Sequence, residues 1–338
     1  MSPLKTFQNC GISVILSCCS QLVERGHRVS VVDDLSAGHA AAVPPGARLH
    51  IVDIGNRLAM REVFASDDFD VVFHFAAKAL IPESVSNPGI FFDSNVASGI
   101  ALLEEARSAG IKRFVFSSSA AVYGNPQCVS IAEEHLKNPV NPYGETKLML
   151  ERALSWYASA YDWTVVAFRY FNACGGTSTV GEDHRPETHI IPLLLQVASG
   201  ERESFEVFGH DYPTPDGTCL RDYVHVLDIA DAHIRALQAP ERPGMTAYNI
   251  GTGTSFSVRQ VCQVVEKITG TKLRTRDRAR RVGDPAILCA DPQRLMTSLG
   301  WQPSFSDLEQ IVRSAWEWKQ KHPVGYAARG AELVSHPG

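Results

Sequence analysis

Short apolar runs rich in β-branched residues alternate with longer amphipathic stretches through the first half of the chain. Val29-Ser-Val-Val-Asp33, Leu49-His-Ile-Val-Asp53, Asp70-Val-Val-Phe-His-Phe75 and Arg113-Phe-Val-Phe-Ser117 read as strands. Gln21 to Gly26, Arg57 to Phe64 and Asn95 to Ala109 read as the helices around them. Strands and helices in alternation build βαβ units, whose parallel strands are covered on both faces and therefore stay apolar along their length. The predicted class is α/β, a doubly wound parallel sheet. Such sheets take ligands at the carboxyl ends of their strands, and Asp33, Asp53, His74 to Ala77 and Ser117 to Ser119 fall there.

After Tyr170 the alternation loosens into loop-rich sequence with Pro and Gly, notably Gly175 to Glu187 and Gly209 to Thr218. A chain of 338 residues exceeds the usual single core, so two lobes are expected. Residues 1–170 form the first, a segment near 220–250 returns to it, and 171–338 mainly build a smaller second lobe. The tail from Val324 to Gly338 is expected at the periphery.

Composition narrows the function. With 44% apolar and 20% charged residues and a net charge of -5, the chain offers no broad basic surface for nucleic acid. No run approaches 18 apolar residues, so no membrane span is predicted. Eight cysteines occur without a Cys-x-x-Cys pair, and no His cluster shows metal-ligand spacing. Reduced thiols, a cytoplasmic location and no metal site are the expectation.

Tyr143-Gly-Glu-Thr-Lys147, following the run Ser117-Ser118-Ser119, carries the chemistry. Residues four apart share a helix face, so Lys147 can sit beside Tyr143. A free phenol has a pKa near 10, and making it a base at neutral pH means favouring the phenolate by about 4 kcal/mol. A close, partly desolvated ammonium meets that demand, and a hydroxyl nearby completes a proton-transfer site.

The motifs Val32-Asp-Asp-Leu-Ser-Ala-Gly38, His74-Phe-Ala-Ala77, Glu83-Ser-Val85, Phe116-Ser-Ser-Ser-Ala-Ala-Val-Tyr-Gly124, Asn141-Pro-Tyr-Gly-Glu-Thr-Lys147, Arg169-Tyr-Phe-Asn172, Phe208-Gly-His-Asp-Tyr-Pro-Thr214, Arg221-Asp-Tyr-Val-His225 and Arg281-Val-Gly-Asp284 follow one another in order. From Gln21 to about Pro303 the chain resembles the extended short-chain dehydrogenase/reductases, and within them it is similar to the UDP-glucose 4-epimerase family. The resemblance implies a Rossmann-like NAD-binding domain, a smaller substrate-binding lobe and interconversion of UDP-glucose and UDP-galactose through a 4-keto sugar. It implies that Tyr143 takes the 4-hydroxyl proton while hydride passes to bound NAD, that Lys147 assists the phenolate and binds the nicotinamide ribose, and that Ser119 relays the proton. Asp33 matches the acceptor for the adenosine ribose. Asp53, Ile54, Phe75, Ala76, Ala77, Asn95, Ser117 and Tyr170 match further cofactor contacts. Asn172, His189, Phe208, Arg221, Arg281 and Asp284 match positions that hold the nucleotide sugar, where an Arg fork suits diphosphate oxygens. Dehydratases of this fold place Asp-Glu after the catalytic hydroxyl residue, whereas Ala120-Ala121 follow Ser119 here, which speaks against elimination of water.

The family's Thr-Gly-Gly-x-Gly-x-x-Gly turn is degenerate in this chain. Its three fingerprint glycines fall on Cys10, Ile12 and Ile15, with Gly11 between the first two. Side chains at Ile12 and Ile15 are expected to intrude where phosphate and helix-sheet packing need space. Two readings follow: an NAD-retaining epimerase, or a non-catalytic or impaired sugar-nucleotide-binding homologue that does not retain NAD. A local change of reading frame around codons 4 to 20 would account for the altered turn. Leu288 occupies the position of the family's pocket gate, which leaves UDP-N-acetylglucosamine open as a second substrate. The resemblance also implies a homodimer paired through the helices around Asn95 to Ala109 and Tyr143 to Ala160.

Overall fold

The computed structural model describes residues 4–7, 12–184, 186–281 and 283–326. Seven parallel strands form the main sheet: β1 (Leu4–Phe7), β2 (Val29–Asp33), β3 (Ala47–Ile51), β4 (Val71–His74), β5 (Arg113–Ser119), β6 (Thr164–Tyr170) and β7 (Gly244–Ile250). Their order is β7-β6-β5-β4-β1-β2-β3, so the winding reverses between β1 and β4. That reversal opens a crevice at the strands' carboxyl ends, the place where such sheets bind ligands.

Successive side chains of each strand go to opposite faces. Val31, Phe73, Val115 and Phe168 enter one core with α1 (Ile12–Glu24) and α6 (Val226–Gln238). Val32, Val72, Phe114, Phe116 and Ala167 enter the other, under α2 (Arg57–Ala65), α3 (Ser98–Ser108) and α4 (Pro142–Tyr161). Burying each such aromatic or branched side chain contributes about 1.5–3 kcal/mol, and helices on both faces make every strand a two-sided contributor.

Ile15 corrects half of the expectation: its side chain sits in the core between helix and sheet but does not enter the cavity. It is fully buried beside Cys18, Cys19 and Leu22 in the core shared with α6, and it is not among the residues lining the main cavity. The helix packing accommodates its side chain instead of sending it into phosphate space. Cys10 and Gly11 lie outside the described residues, as does the side chain of Ile12.

Two element boundaries also differ from the sequence reading. The strand expected at 49–53 is β3, two residues earlier, because Val52 leaves the ladder after its N–H bonds the Asp33 carbonyl. The helix expected from Asn95 begins within a wider π-type turn, Phe92–Ala97, and becomes α-helical at Ser98.

A second sheet forms from Ser255–Ser257, Leu220–His225, Ile287–Ala290 and, from before β6, Ser130–Ile131, with Asn172–Cys174 against Leu220–His225. A third core under it is built by α5 (Ile190–Ala198) with the helices Val258–Thr269 and Leu308–Lys321. No helix among the described residues is long and apolar enough to cross a membrane.

Phe114, on β5, is buried against Trp163, whose ring stacks on it at 6.0 Å. Phe114→Ala should therefore cost about 3–5 kcal/mol, read as a lowered urea midpoint with an unchanged slope.

Candidate active site

The site begins where β5 ends and α4 starts. Asn141 caps α4, its side chain accepting the Gly144 N–H at 2.8 Å, and Pro142 occupies the first turn with its fixed φ. This puts Tyr143 in the first turn and Lys147 one turn on. A Cβ at Gly144 would stand 2.5 Å from the Ala121 carbonyl oxygen, so only glycine lets α4 approach the turn that follows Ser119. Ser119 ends β5, and its hydroxyl accepts the Ala121 N–H at 3.2 Å.

Lys147 is 1% exposed. Its Nζ donates to the Ser117 carbonyl at 2.7 Å and stands 5.0 Å from the Phe116 ring centre and 5.9 Å from that of Tyr143. The buried ammonium is thus aimed between strand and phenol. Beneath it lies His74, whose pKa burial lowers to about 3, with the Lys147 charge adding to the effect. The neutral imidazole keeps a second cation out of this position.

A buried polar network holds the junction from behind. Ser118 Oγ donates to Glu151 at 2.5 Å, and Arg169 donates to both Glu151 oxygens at 2.9 and 2.7 Å. Arg169 also reaches the Tyr123 hydroxyl and the Glu133 carbonyl, and Tyr123 donates to Asn249 at 2.7 Å. One fork therefore ties α4 to β5, β6 and β7. The bidentate geometry is the arrangement in which a desolvated ion pair is best compensated.

In front of this junction opens a cavity of about 1320 Å³. Of the residues singled out from sequence, Asp53, Ile54, Ala76, Ala77, Ser119, Tyr143, Tyr170, Asn172, His189, Phe208, Arg221, Arg281 and Asp284 line it, as does Leu288. Asp33, Phe75, Asn95, Ser117 and Lys147 do not; all five are buried in its wall. Asn95 is occupied there: its amide bonds both backbone groups of Lys78 and the Thr146 hydroxyl, tying the β4 loop to α4. The Tyr170 hydroxyl is 2.8 Å from His233 Nε2, which fixes its ring against α6.

Asp33 carries the sharpest electrostatic signal. It is 1% exposed; Oδ1 accepts the Leu35 N–H at 2.6 Å, and Oδ2 has no hydrogen-bond partner among the described residues. Burial pushes its carboxyl up to about 7, against the Leu35 bond and with help from the Asp34 charge. Gly38 faces it so closely that a Cβ would stand 2.4 Å from Oδ2. An orphaned buried acceptor at the end of β2 fits a ligand that brings hydroxyl donors.

Across the cavity, Arg221 donates to Asp284 at 2.9 Å and to the Leu220 and Pro285 carbonyls, while Arg281 lies 3.8 Å over the Phe208 ring. These contacts hold two guanidinium groups at the wall with their planes braced by neighbours. Sequence reasoning missed the loop after Gly181. There Glu182, His184 and His189 lie close together, and of the three the sequence reading had singled out His189 alone. It gave no role to Asp34 and Ser36, although both stand in the motif Val32 to Gly38, nor to Lys78, which follows the motif His74 to Ala77; all three line the cavity.

The chain matches the profile of the "NAD dependent epimerase/dehydratase family" over residues 17–251. A UDP-glucose 4-epimerase of Streptococcus mutans is 46% identical over 91% of this chain and 94% of its own length. The crystal structure of UDP-glucose 4-epimerase from Brucella ovis in complex with NAD superposes with a TM-score of 0.89 at 39% identity, covering 94% of this chain and 98% of that one. The Bifidobacterium longum UDP-glucose 4-epimerase in complex with NAD+ and UDP gives 0.91 at 32% identity, covering 96% and 100%.

The buried network yields a stability test. Glu151→Ala leaves the Arg169 guanidinium uncompensated and should cost about 3–5 kcal/mol, whereas the double replacement Glu151→Leu/Arg169→Met should cost less than that single change. Chemical denaturation of the two proteins side by side reads the difference.

Proposed function

The chain belongs to the NAD dependent epimerase/dehydratase family, and on that premise we propose that it is a UDP-glucose 4-epimerase interconverting UDP-glucose and UDP-galactose. The observation that carries the reading is one cavity lined by Tyr143 and Ser119, with the Lys147 ammonium buried directly behind them. Relatives at this similarity bear the name UDP-glucose 4-epimerase, one of them in complex with NAD, and lend nothing to the alternative of a non-catalytic homologue without NAD.

The residues fit the dinucleotide. Asp33 offers its orphaned oxygen to the adenosine ribose hydroxyls, Asp53 and Ile54 flank the adenine side, and Ala76 and Ala77 let backbone approach the pyrophosphate. Phe75, Asn95 and Ser117 act from the wall by shaping these segments. Tyr170 borders the nicotinamide. When bound, NAD supplies the carbon that accepts a hydride from the sugar and returns it.

Tyr143, as phenolate, takes the proton of the sugar 4-hydroxyl, directly or through Ser119, as the C4 hydride leaves. Lys147 stabilises the phenolate by charge, and its bond to the Ser117 carbonyl keeps it from drifting into solvent. After the 4-keto sugar turns over, Tyr143 gives the proton back, so atoms and charge balance without an external reductant. Arg221 and Arg281 receive the diphosphate, Asp284 and Phe208 the uridine, and Asn172 the intervening oxygens, with His189 at the edge of the same cavity. A cytoplasmic homodimer completes the reading, and Trp156, 77% exposed on α4, supports the pairing.

Tyr143→Phe, in protein shown by absorbance to carry NAD, should lose about 10²–10⁴-fold in conversion of UDP-galactose to UDP-glucose. Retention of the rate by NAD-loaded variant enzyme removes Tyr143 from the role. Asp33 gives a second test. Its folded value near 7 lies above the ordinary 3.8, so the folded protein without cofactor binds the extra proton between these values and loses stability as pH rises through that window. Ribose hydroxyls favour the ionised carboxylate. NAD binding near pH 7 should then release about half a proton, seen as a buffer-dependent heat in calorimetry, and should tighten from pH 6 to 8. Asp33→Asn should abolish the release.

A further inference from the structure

We propose that Glu182, His184 and His189 form a binding site for a divalent transition-metal ion of the zinc class, at the edge of the cavity. This does not rest on the epimerase reading. One carboxylate and two imidazoles present their candidate ligand atoms within 4.8 Å of one another. Zinc bonds of about 2.0–2.2 Å set tetrahedral donors about 3.3 Å apart, a closure within reach of side-chain rotation. Nitrogen donors beside a single carboxylate favour zinc over the oxygen-seeking calcium and magnesium ions.

The surroundings are those of a ligand set already oriented. Glu187 Oε1 accepts the His189 Nδ1–H at 2.8 Å and is itself held by the backbone N–H groups of Thr188 and His189, both at 2.7 Å. A histidine that gives one ring nitrogen to a carboxylate presents the other to a metal, here Nε2. Ser13, in the first turn of α1, donates to Glu182 Oε2 at 2.8 Å, which leaves Oε1 for the cation. His184 Nδ1 bonds that Oε1 and would exchange this contact for the metal.

Both ends of the loop are anchored. Tyr326 takes the Gly181 N–H at 2.9 Å, donates to the Gly181 carbonyl at 3.0 Å and gives its own N–H to Asp183. His189 stands at the start of α5, so its backbone is set by that helix. All three ligands also line the cavity, which leaves a fourth position open to water or to an oxygen of a bound molecule. A metal here would brace the loop across α1 through Ser13.

The test uses the full chain after treatment with a chelator. Titration with zinc chloride in a calorimeter should show one equivalent bound, and zinc should raise the thermal midpoint. His184→Gln and His189→Gln should each weaken binding at least about tenfold, and the double variant should lose the thermal shift. Glu187→Gln keeps all three ligands and should weaken zinc by about 10–100-fold, which tests the site even if a histidine variant fails to fold. Absence of zinc uptake by the wild type overturns the proposal. So does uptake that is equally tight in the double variant, or a cobalt-substituted spectrum showing thiolate ligation, since either places the metal on cysteines.

Discussion

A buried ammonium with a fixed acceptor is the constraint from which this architecture can be reasoned outward. Lys147 sits in the wall where a charge is costly, and it is held by the Ser117 carbonyl at the end of β5. That acceptor is available only if α4 lies hard against the strand, which requires Gly144 at the contact with Ala121 and Asn141 at the cap. The Glu151–Arg169 fork keeps the same helix from tilting away. Sheet, helix and phenol are therefore placed by one electrostatic requirement, and the cavity forms in front of it.

A second consequence is the division of labour among charged groups. The chain is acidic overall, yet Arg221 and Arg281 line its cavity, while an unmatched acceptor on Asp33 lies buried in the wall. Each guanidinium is braced by a neighbour, Asp284 or Phe208, and so is presented with little rotamer freedom left to lose. Net charge describes the outer surface and says little about a pocket whose polarity is set residue by residue.

Much of this was legible in the sequence. The β-branched runs at Val29–Asp33 and Val71–His74 are strands because both of their faces are covered, and that pattern survives without knowledge of the partners. Tyr143 and Lys147 were legible because helical spacing alone brings them together. Other features needed the fold. Ile15 looked like an intruder while its packing partner, α6, lay more than 200 positions away in the chain. The wider turn at Phe92–Ala97 has no periodicity that sets it apart from an ordinary helix start. Glu182, His184 and His189 stand within eight positions of one another, but the anchoring of Gly181 and Asp183 by Tyr326 is a contact across more than 140 positions that no local pattern announces.

The pairing of α1 with α6 also bears on how the chain is made. The apolar face of α1, with Ile15, Cys18, Cys19 and Leu22, has its cover near residues 226–238, and β7 joins the sheet later still. At roughly 5–20 residues per second of synthesis, the first helix waits on the order of ten seconds or more before its partner exists. Until then the face is covered only in part, by strand residues such as Val29, Val31 and Phe73, and the long sequence separation of the remaining contact slows its closure. Chaperone demand during translation is thus written into a contact that, in the finished molecule, only looks like good packing.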